Sequence, residues 1–390
     1  MEAADDSQTG SDSGHAPEDL DAIIAEYAQL LALASQAVEN GTGIDPTMPY
    51  GETYSWSKVF KMRGAERDAH FAAMQKEVDK LTNANHARWE HLPPGEVAIP
   101  SVGVFRIKSH DIHEGGFTLK ARFCANGQAV LVPSGGWDST ATVASCTQIL
   151  QTIAIATALR LKMAQIDVKS AFTQVKLRDD QRIWVRPLPG LGDPEGKGRV
   201  LRLLSHLYGH PLANAAFQER WVELMVEFGM HVVDGHNGTV FSYEEADEKL
   251  LVATVVDDSV VAYSSDAILE KLVTFLESKL PITVTPLEHV CGLRVTRNPD
   301  GSTCVDQAEY IEKKAKAFGC DGPGRFFKTP MAPGFKPGPR PEVADSSKVT
   351  LARELMGSLI YATLTRQECK YACSKLSSVV TNPTDKDIKL

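Results

Sequence analysis

The order of the predicted elements points to an α+β fold, and two further observations frame it. Hairpin patterns and amphipathic helices are mixed along the chain, without the regular strand-helix alternation of a parallel sheet. Two strand-like segments carry acidic residues at or near their ends, at Asp167 and at Asp257-Asp258. A hydrophobic content of 43% suffices for one large core or two smaller ones, which excludes wholesale disorder.

In chain order, an acidic head comes first. Residues 1–57 hold eleven Asp and Glu and no Lys or Arg, so the net charge of −9 divides into this head and a body of 333 residues with 41 basic and 39 acidic groups. The first sixteen residues are too polar to order. Leu20, Ile23, Ile24, Tyr27, Leu30 and Leu31 then recur at helical spacing and predict one helix at 17–39. The amino terminus lacks the basic and then apolar pattern of a signal peptide, and no run of eighteen apolar residues occurs anywhere. An intracellular protein with no membrane partner is expected, with cytoplasm and nucleus not distinguished.

The body opens with a predicted helix at 64–84, where Phe71, Met74, Val78 and Leu81 share a face. Strand patterns at 102–108 and 116–124 flank a turn at 110–115 and suggest a hairpin. A helix at 146–161 leads into a strand at 163–168. Further helices are predicted near 212–229, 266–280, 307–319 and 349–380, and strands near 239–243, 250–264, 290–297 and 302–306. The seven cysteines form no Cys-x-x-Cys pair and read as reduced structural thiols.

The carboxylates carry the chemistry. Asp257-Asp258 interrupts the apolar run at 250–263, which places the pair at a tight hairpin, and Asp suits a turn on its own account. Asp167 lies between Ile166 and Val168, where an unpaired carboxylate is costly. If the two strands are neighbours, three acids converge and require cations. Hard oxygen ligands select Mg²⁺ or Mn²⁺, and a two-ion site implies nucleotidyl transfer or phosphodiester hydrolysis. No Gly-x-x-x-x-Gly-Lys-Ser/Thr loop is present, which argues against an unrelated phosphotransferase.

Asp167-Val-Lys-Ser-Ala-Phe172 and Val255-Val-Asp-Asp258 resemble the Asp-Val-Lys-x-Ala-Phe and Tyr-Val-Asp-Asp segments of reverse transcriptases from copia-type LTR retrotransposons. Other segments agree in order: Lys120-Ala-Arg122 through Gly127, Val185 through Gly190, Leu207-Tyr-Gly209, Gly292-Leu-Arg-Val, Gln307 through Tyr310, Thr329-Pro-Met331 and Gly357 through Tyr361. Together they cover about residues 55 to 385.

This resemblance implies a right-hand polymerase architecture: fingers at 58–160, a palm with an antiparallel sheet and flanking helices at 161–300, and the palm end with thumb- or connection-like helices at 301–390. It implies that Asp167, Asp257 and Asp258 are catalytic and, with the carbonyl of Val168, bind two Mg²⁺ or Mn²⁺ ions. Lys120 and Arg122, on one face of a strand, would contact the triphosphate. Phe172 would lie beneath the incoming sugar, and Tyr208 and Gly209 would hold the nascent base pair. Val255 and Val256 would flank the primer end, while Lys313 and Lys314, with Lys316, Arg325 and Lys328, would follow duplex backbone. The implied partners are an RNA template, a DNA primer and dNTPs, with RNase H and integrase domains acting in trans.

The sequence also departs from the family pattern. Val255 replaces Tyr; Pro211, Leu212 and Asn214 replace Lys, Gln and Pro; Gly103 replaces Trp; Cys291 replaces Leu; Cys146 and Leu150 replace Arg; and Gln367 replaces Pro. No protease, integrase or RNase H accompanies the domain, so a fragment of a Pol polyprotein or a captured copy is expected. The alternative reading is a catalytically decayed polymerase fold that binds nucleic acid or a protein.

Overall fold

The computed structural model describes residues 54–388 except 109–117, 128–139, 234, 236–237, 323–327, 333 and 337. The acidic head with its helix at 17–39, the turn at 110–115 and Arg325 therefore lie outside the described residues, apart from the end of the head from residue 54 on. Helices and largely antiparallel sheets are mixed, an α+β fold. The chain forms two compact units. One is drawn from the described residues of Met1–Ser145, Ser170–Leu224 and Gly235–Thr239, the other from those of Cys146–Lys169, Met225–Asp234 and Val240–Leu390.

In the first unit, β1 (Tyr54–Ser55), β4 (Ser101–Lys108) and β5 (Thr118–Ala125) form one sheet. β2 (Ala87–Glu90), β3 (Ala98–Ile99), β7 (Trp184–Val185) and β8 (Val200–Leu203) form another, in the order β2-β8-β7-β3. Helices α1 (Trp56–Lys61) and α2 (Gly64–Asn83) cover them. The face predicted for α2 is the buried one: Met74, Val78 and Leu81 pack with Trp56, Phe105, Phe123, Val185 and Leu201. Each such large apolar side chain contributes about 1.5–3 kcal/mol by leaving water. Gly103 belongs to this core, since a Cβ there would press on Leu188, Met74 and Trp56.

The second unit is built on a six-stranded sheet. Its order is β13 (Ile282–Pro286), β6 (Lys162–Val168), β12 (Asp258–Tyr263), β11 (Glu248–Val255), β10 (Val240–Glu245) and β9 (His231–Val232), every neighbouring pair antiparallel. Helix α3 (Cys146–Ala158) meets this sheet where Ala156 packs with Leu161 and Ala262, beside Met163 and Leu251. Register makes Met163, Ala262 and Leu251 one cross-strand row, so α3 covers the face that also carries Gln165 and Asp167 further along β6. Helix α4 (Ala213–Phe228) runs from the first unit's stretch of chain into the second's. Helix α5 (Asp266–Glu277) is capped by Ser265, whose hydroxyl accepts from the Ile268 amide.

Two predicted elements are corrected. The strand at 290–297 is a hairpin, β14 (His289–Val290) and β15 (Leu293–Arg297), with Cys291 and Gly292 both at positive φ in the turn; β16 (Thr303–Asp306) completes its sheet. The helix at 349–380 is broken. After α6 (Ala308–Ala317), helix α7 (Ser346–Ala362) stops at Thr363, a 3₁₀ turn follows at Gln367–Cys369, and α8 (Lys370–Ser377) and α9 (Asp385–Ile388) complete the described chain. The break has a polar anchor: buried Gln307 donates to the Tyr361 carbonyl at 3.1 Å and accepts from Thr365 Oγ1 at 2.9 Å. None of the described helices is long and apolar enough to cross a membrane.

Candidate active site

The alternation of β6 explains where Asp167 stands. Ala164, Ile166 and Val168 are buried, while Gln165 and Asp167 on the other face are half-buried. Pairing of β6 with β12 sets Asp258 directly opposite Asp167. The row extends both ways, because Thr283 faces Asp167 from β13 and Val255 faces Asp258 from β11. Cross-strand partners carry their Cβ atoms about 4.5–5.5 Å apart, so two carboxylates in this relation repel each other.

Asp257 sits in the turn. Its carbonyl accepts from the Val168 amide at 3.1 Å, and the next amide, Lys169, donates to the Pro281 carbonyl at 2.8 Å. The β11–β12 hairpin is thereby pinned to the end of β6. Asp257 does not complete a three-ligand cluster: among the described residues, no three Asp, Glu, His or Cys side chains are grouped to hold a metal ion. Register brings together Asp167 and Asp258, and the third acid follows only as a chain neighbour.

The turn is strained. Val255 and Asp258 are register partners, leaving Val256 and Asp257 as its two central residues, and Val256 has φ 58°. A left-handed conformation costs an L-residue about 1–2 kcal/mol, and a β-branched one is rarely found there. Glycine at the first central position would serve a turn with this φ pattern better. Ala246 takes the same left-handed first position, at φ 53°, in the β10–β11 turn.

Gln165 has a contact that sequence reasoning missed. Its Nε2 donates to Asp258 Oδ1 at 3.0 Å. The β14–β15 turn is also electrostatically coupled to the site: the neighbouring Cys146 thiol and burial raise the Cys291 thiol well above its ordinary range, and the Asp258 charge adds to this. Tyr361 Oη donates to the Cys291 carbonyl. All seven cysteines are free, and burial pushes the Cys124 thiol up to about 12.

Several other predicted site residues gather in the first unit. The Arg122 guanidinium stands 4.3 Å from the Tyr208 ring centre, and the Tyr208 and Phe172 rings meet edge-on at 4.9 Å. Phe172 is only 4% exposed and also packs against Phe217. The Ala125 amide donates to the Tyr208 carbonyl at 2.8 Å, and Gly209, at φ 79°, has no room for a Cβ against the Ala125 carbonyl. Lys120 is half-buried on β5. On α6 in the second unit, Lys313 is exposed, while half-buried Lys314 lies over the Phe318 ring at 5.7 Å. Beside Leu207-Tyr208-Gly209, sequence reasoning also missed a buried pair, His206 and His210, whose imidazoles are lowered to about 4 chiefly by burial. The His210 Nδ1 accepts from the Leu212 amide at 3.3 Å, which suits the neutral ring.

Sequence comparison agrees with the resemblance of the motifs. The chain belongs to the family described as reverse transcriptase (RNA-dependent DNA polymerase), whose profile matches residues 86–332. Its curated relatives are copia-type Pol polyproteins. It is 22% identical over 323 residues to the retrovirus-related Pol polyprotein from transposon RE1 of Arabidopsis thaliana, covering 81% of this chain and 21% of that protein. It is 23% identical over 330 residues to the corresponding polyprotein from transposon TNT 1-94 of Nicotiana tabacum, covering 82% and 24%. The chain thus spans less than a quarter of the length of these relatives. Among solved structures, a foamy viral protease-reverse transcriptase in complex with double-stranded DNA aligns over 95% of this chain and 56% of that one, at 13% identity and a TM-score of 0.44.

Proposed function

We propose that the chain is an RNA-directed DNA polymerase domain that extends a DNA primer on an RNA template with dNTPs. The observation that carries this reading is the direct opposition of Asp167 and Asp258 on adjacent strands, with the turn at Asp257 pinned to Val168. The donor chemistry fits a hard divalent cation, since only oxygen ligands are offered and two facing carboxylates call for positive charge. Asp167, Asp257, Asp258 and the Val168 carbonyl are the residues that would hold Mg²⁺ or Mn²⁺. Two such ions, when bound, supply Lewis-acid stabilisation to the attacking and leaving oxygens.

The remaining residues orient substrate. Arg122 and Lys120 supply positive charge to the triphosphate, with Arg122 braced against Tyr208. Phe172, held edge-on by Tyr208, bounds the sugar and disfavours a 2′-hydroxyl. Tyr208 and Gly209 support the new base pair, Val255 and Val256 flank the primer end, and Lys313 and Lys314 take duplex phosphates. In this scheme residues 58–160 act as fingers, 161–300 as palm, and 301–390 as palm end and thumb. RNase H and integrase domains, acting in trans, are the protein partners of the scheme.

Primer extension on an RNA template in Mg²⁺ tests the proposal. The wild-type protein should incorporate dNTPs and Asp257→Asn should not. Equal, background incorporation by both, with RNA binding that needs no Mg²⁺, would instead identify a binding module that has lost catalysis.

A further inference from the structure

Gln165 stands two residues before Asp167 on the same face of β6, and its register partner on β12 is Val260. Asp258 is therefore its diagonal neighbour, about 7–8 Å away along the sheet, a span that a long side chain bridges. Gln165 Nε2 makes that reach and donates to Asp258 Oδ1 at 3.0 Å. We infer that Gln165 is a positioning residue for Asp258, holding one carboxylate oxygen so that the carboxylate faces Asp167 in the orientation a divalent cation requires. This inference rests on the metal-binding reading of the carboxylates.

The residue type matters in three respects. Asparagine, one methylene shorter, would not span the diagonal. Glutamate would set a third negative charge against the Asp167-Asp258 pair. Lysine would reach, but it would neutralise the charge that attracts the cation and compete for the same oxygen. A carboxamide alone fixes the carboxylate and leaves its full charge available. Outer hydrogen bonds of this kind change metal affinity by about 10- to 100-fold.

The test uses the full chain with Mn²⁺ as probe, its binding followed by electron paramagnetic resonance, alongside primer extension across a Mg²⁺ titration. Gln165→Met keeps the shape and removes the donor. It should weaken Mn²⁺ binding and raise the Mg²⁺ half-saturation about tenfold or more. The rate at saturating Mg²⁺ should stay within about threefold and the melting temperature within a few degrees, a split that a merely structural residue does not give. Gln165→Asn should weaken binding similarly, and Gln165→Lys more than either. Wild-type Mn²⁺ affinity in Gln165→Met, beside loss of binding in Asp258→Asn, overturns the role of Gln165 alone. Unchanged binding in Asp258→Asn overturns the metal reading and this inference with it.

Discussion

Two hairpins of the second unit turn in the same number of residues with opposite chemistry. Between Val290 and Leu293, Cys291 and Gly292 both have positive φ, 50° and 70°, and the glycine stands where such turns most often place one. Between Val255 and Asp258, the left-handed residue is Val256, and no glycine is present. The first turn follows local preference at its glycine and opposes it at Cys291; the second opposes it with a β-branched residue. Strain of this kind persists where the surrounding structure over-determines it, and here it adjoins the facing carboxylates.

The largest effect that sharpens this contrast is chemical. On the proposed reading, Asp258→Asn should lower primer extension by about three orders of magnitude while thermal unfolding shifts by a few degrees at most, because a cross-strand charge repulsion is relieved as a proposed metal ligand is lost. Collapse of the fold in this variant would mean that the acidic turn is structural after all. In the other hairpin the expected effect falls on stability. Gly292→Ala sets a Cβ against Tyr361 Oη at a left-handed position and should cost about 2–3 kcal/mol in urea unfolding. Adding Tyr361→Phe should recover about 1 kcal/mol of that loss in a double-mutant cycle, since the colliding hydroxyl is gone.

Relief of the strained turn should act in the opposite direction. Val256→Gly should leave stability equal or raise it by up to about 1 kcal/mol while slowing primer extension. A variant as fast as wild type would break the link between strain and function. The smallest effect near neutral pH belongs to the first unit. His206 and His210 are held neutral with pKa about 4, whereas an exposed histidine in the unfolded chain titrates near 6.5. The unfolded state takes up more protons below that value, so stability is full above about pH 6.5 and is lost as pH falls toward 4. Urea midpoints at pH 7.5, 6 and 5 should fall in that order, and His206→Leu should flatten the trend.

The regular elements and the carboxylates were legible because their signals are local. The alternation around Asp167, the apolar runs that frame Asp257-Asp258, and the helical face of Met74, Val78 and Leu81 all repeat within a few residues. What escaped depends on pairing. The end of α7 at Thr363 is fixed by Gln307, more than fifty residues earlier in the chain. Strand β13 was missed although Ile282-Thr-Val-Thr285 is a β-branched run, because it is short and lies between Pro281 and Pro286, and its place at the sheet edge, where the Pro286 ring is tolerated, follows only from pairing with β6. The Gln165 contact follows from the register of β6 against β12, which no single segment encodes. Cys291 and Gly292 were read through as strand because an apolar pattern continues on both sides of them.

The close crossing of β5 with the Leu207-Tyr208-Gly209 turn has a practical consequence. The Ala125 amide is joined to the Tyr208 carbonyl at a point where neither Gly209 nor Gly127 has room for a Cβ. This one proton is therefore a built-in gauge of whether Arg122 and Tyr208 remain assembled: its deuterium uptake should be slow while the two segments stay joined and rise as soon as they part, with no substrate or label required.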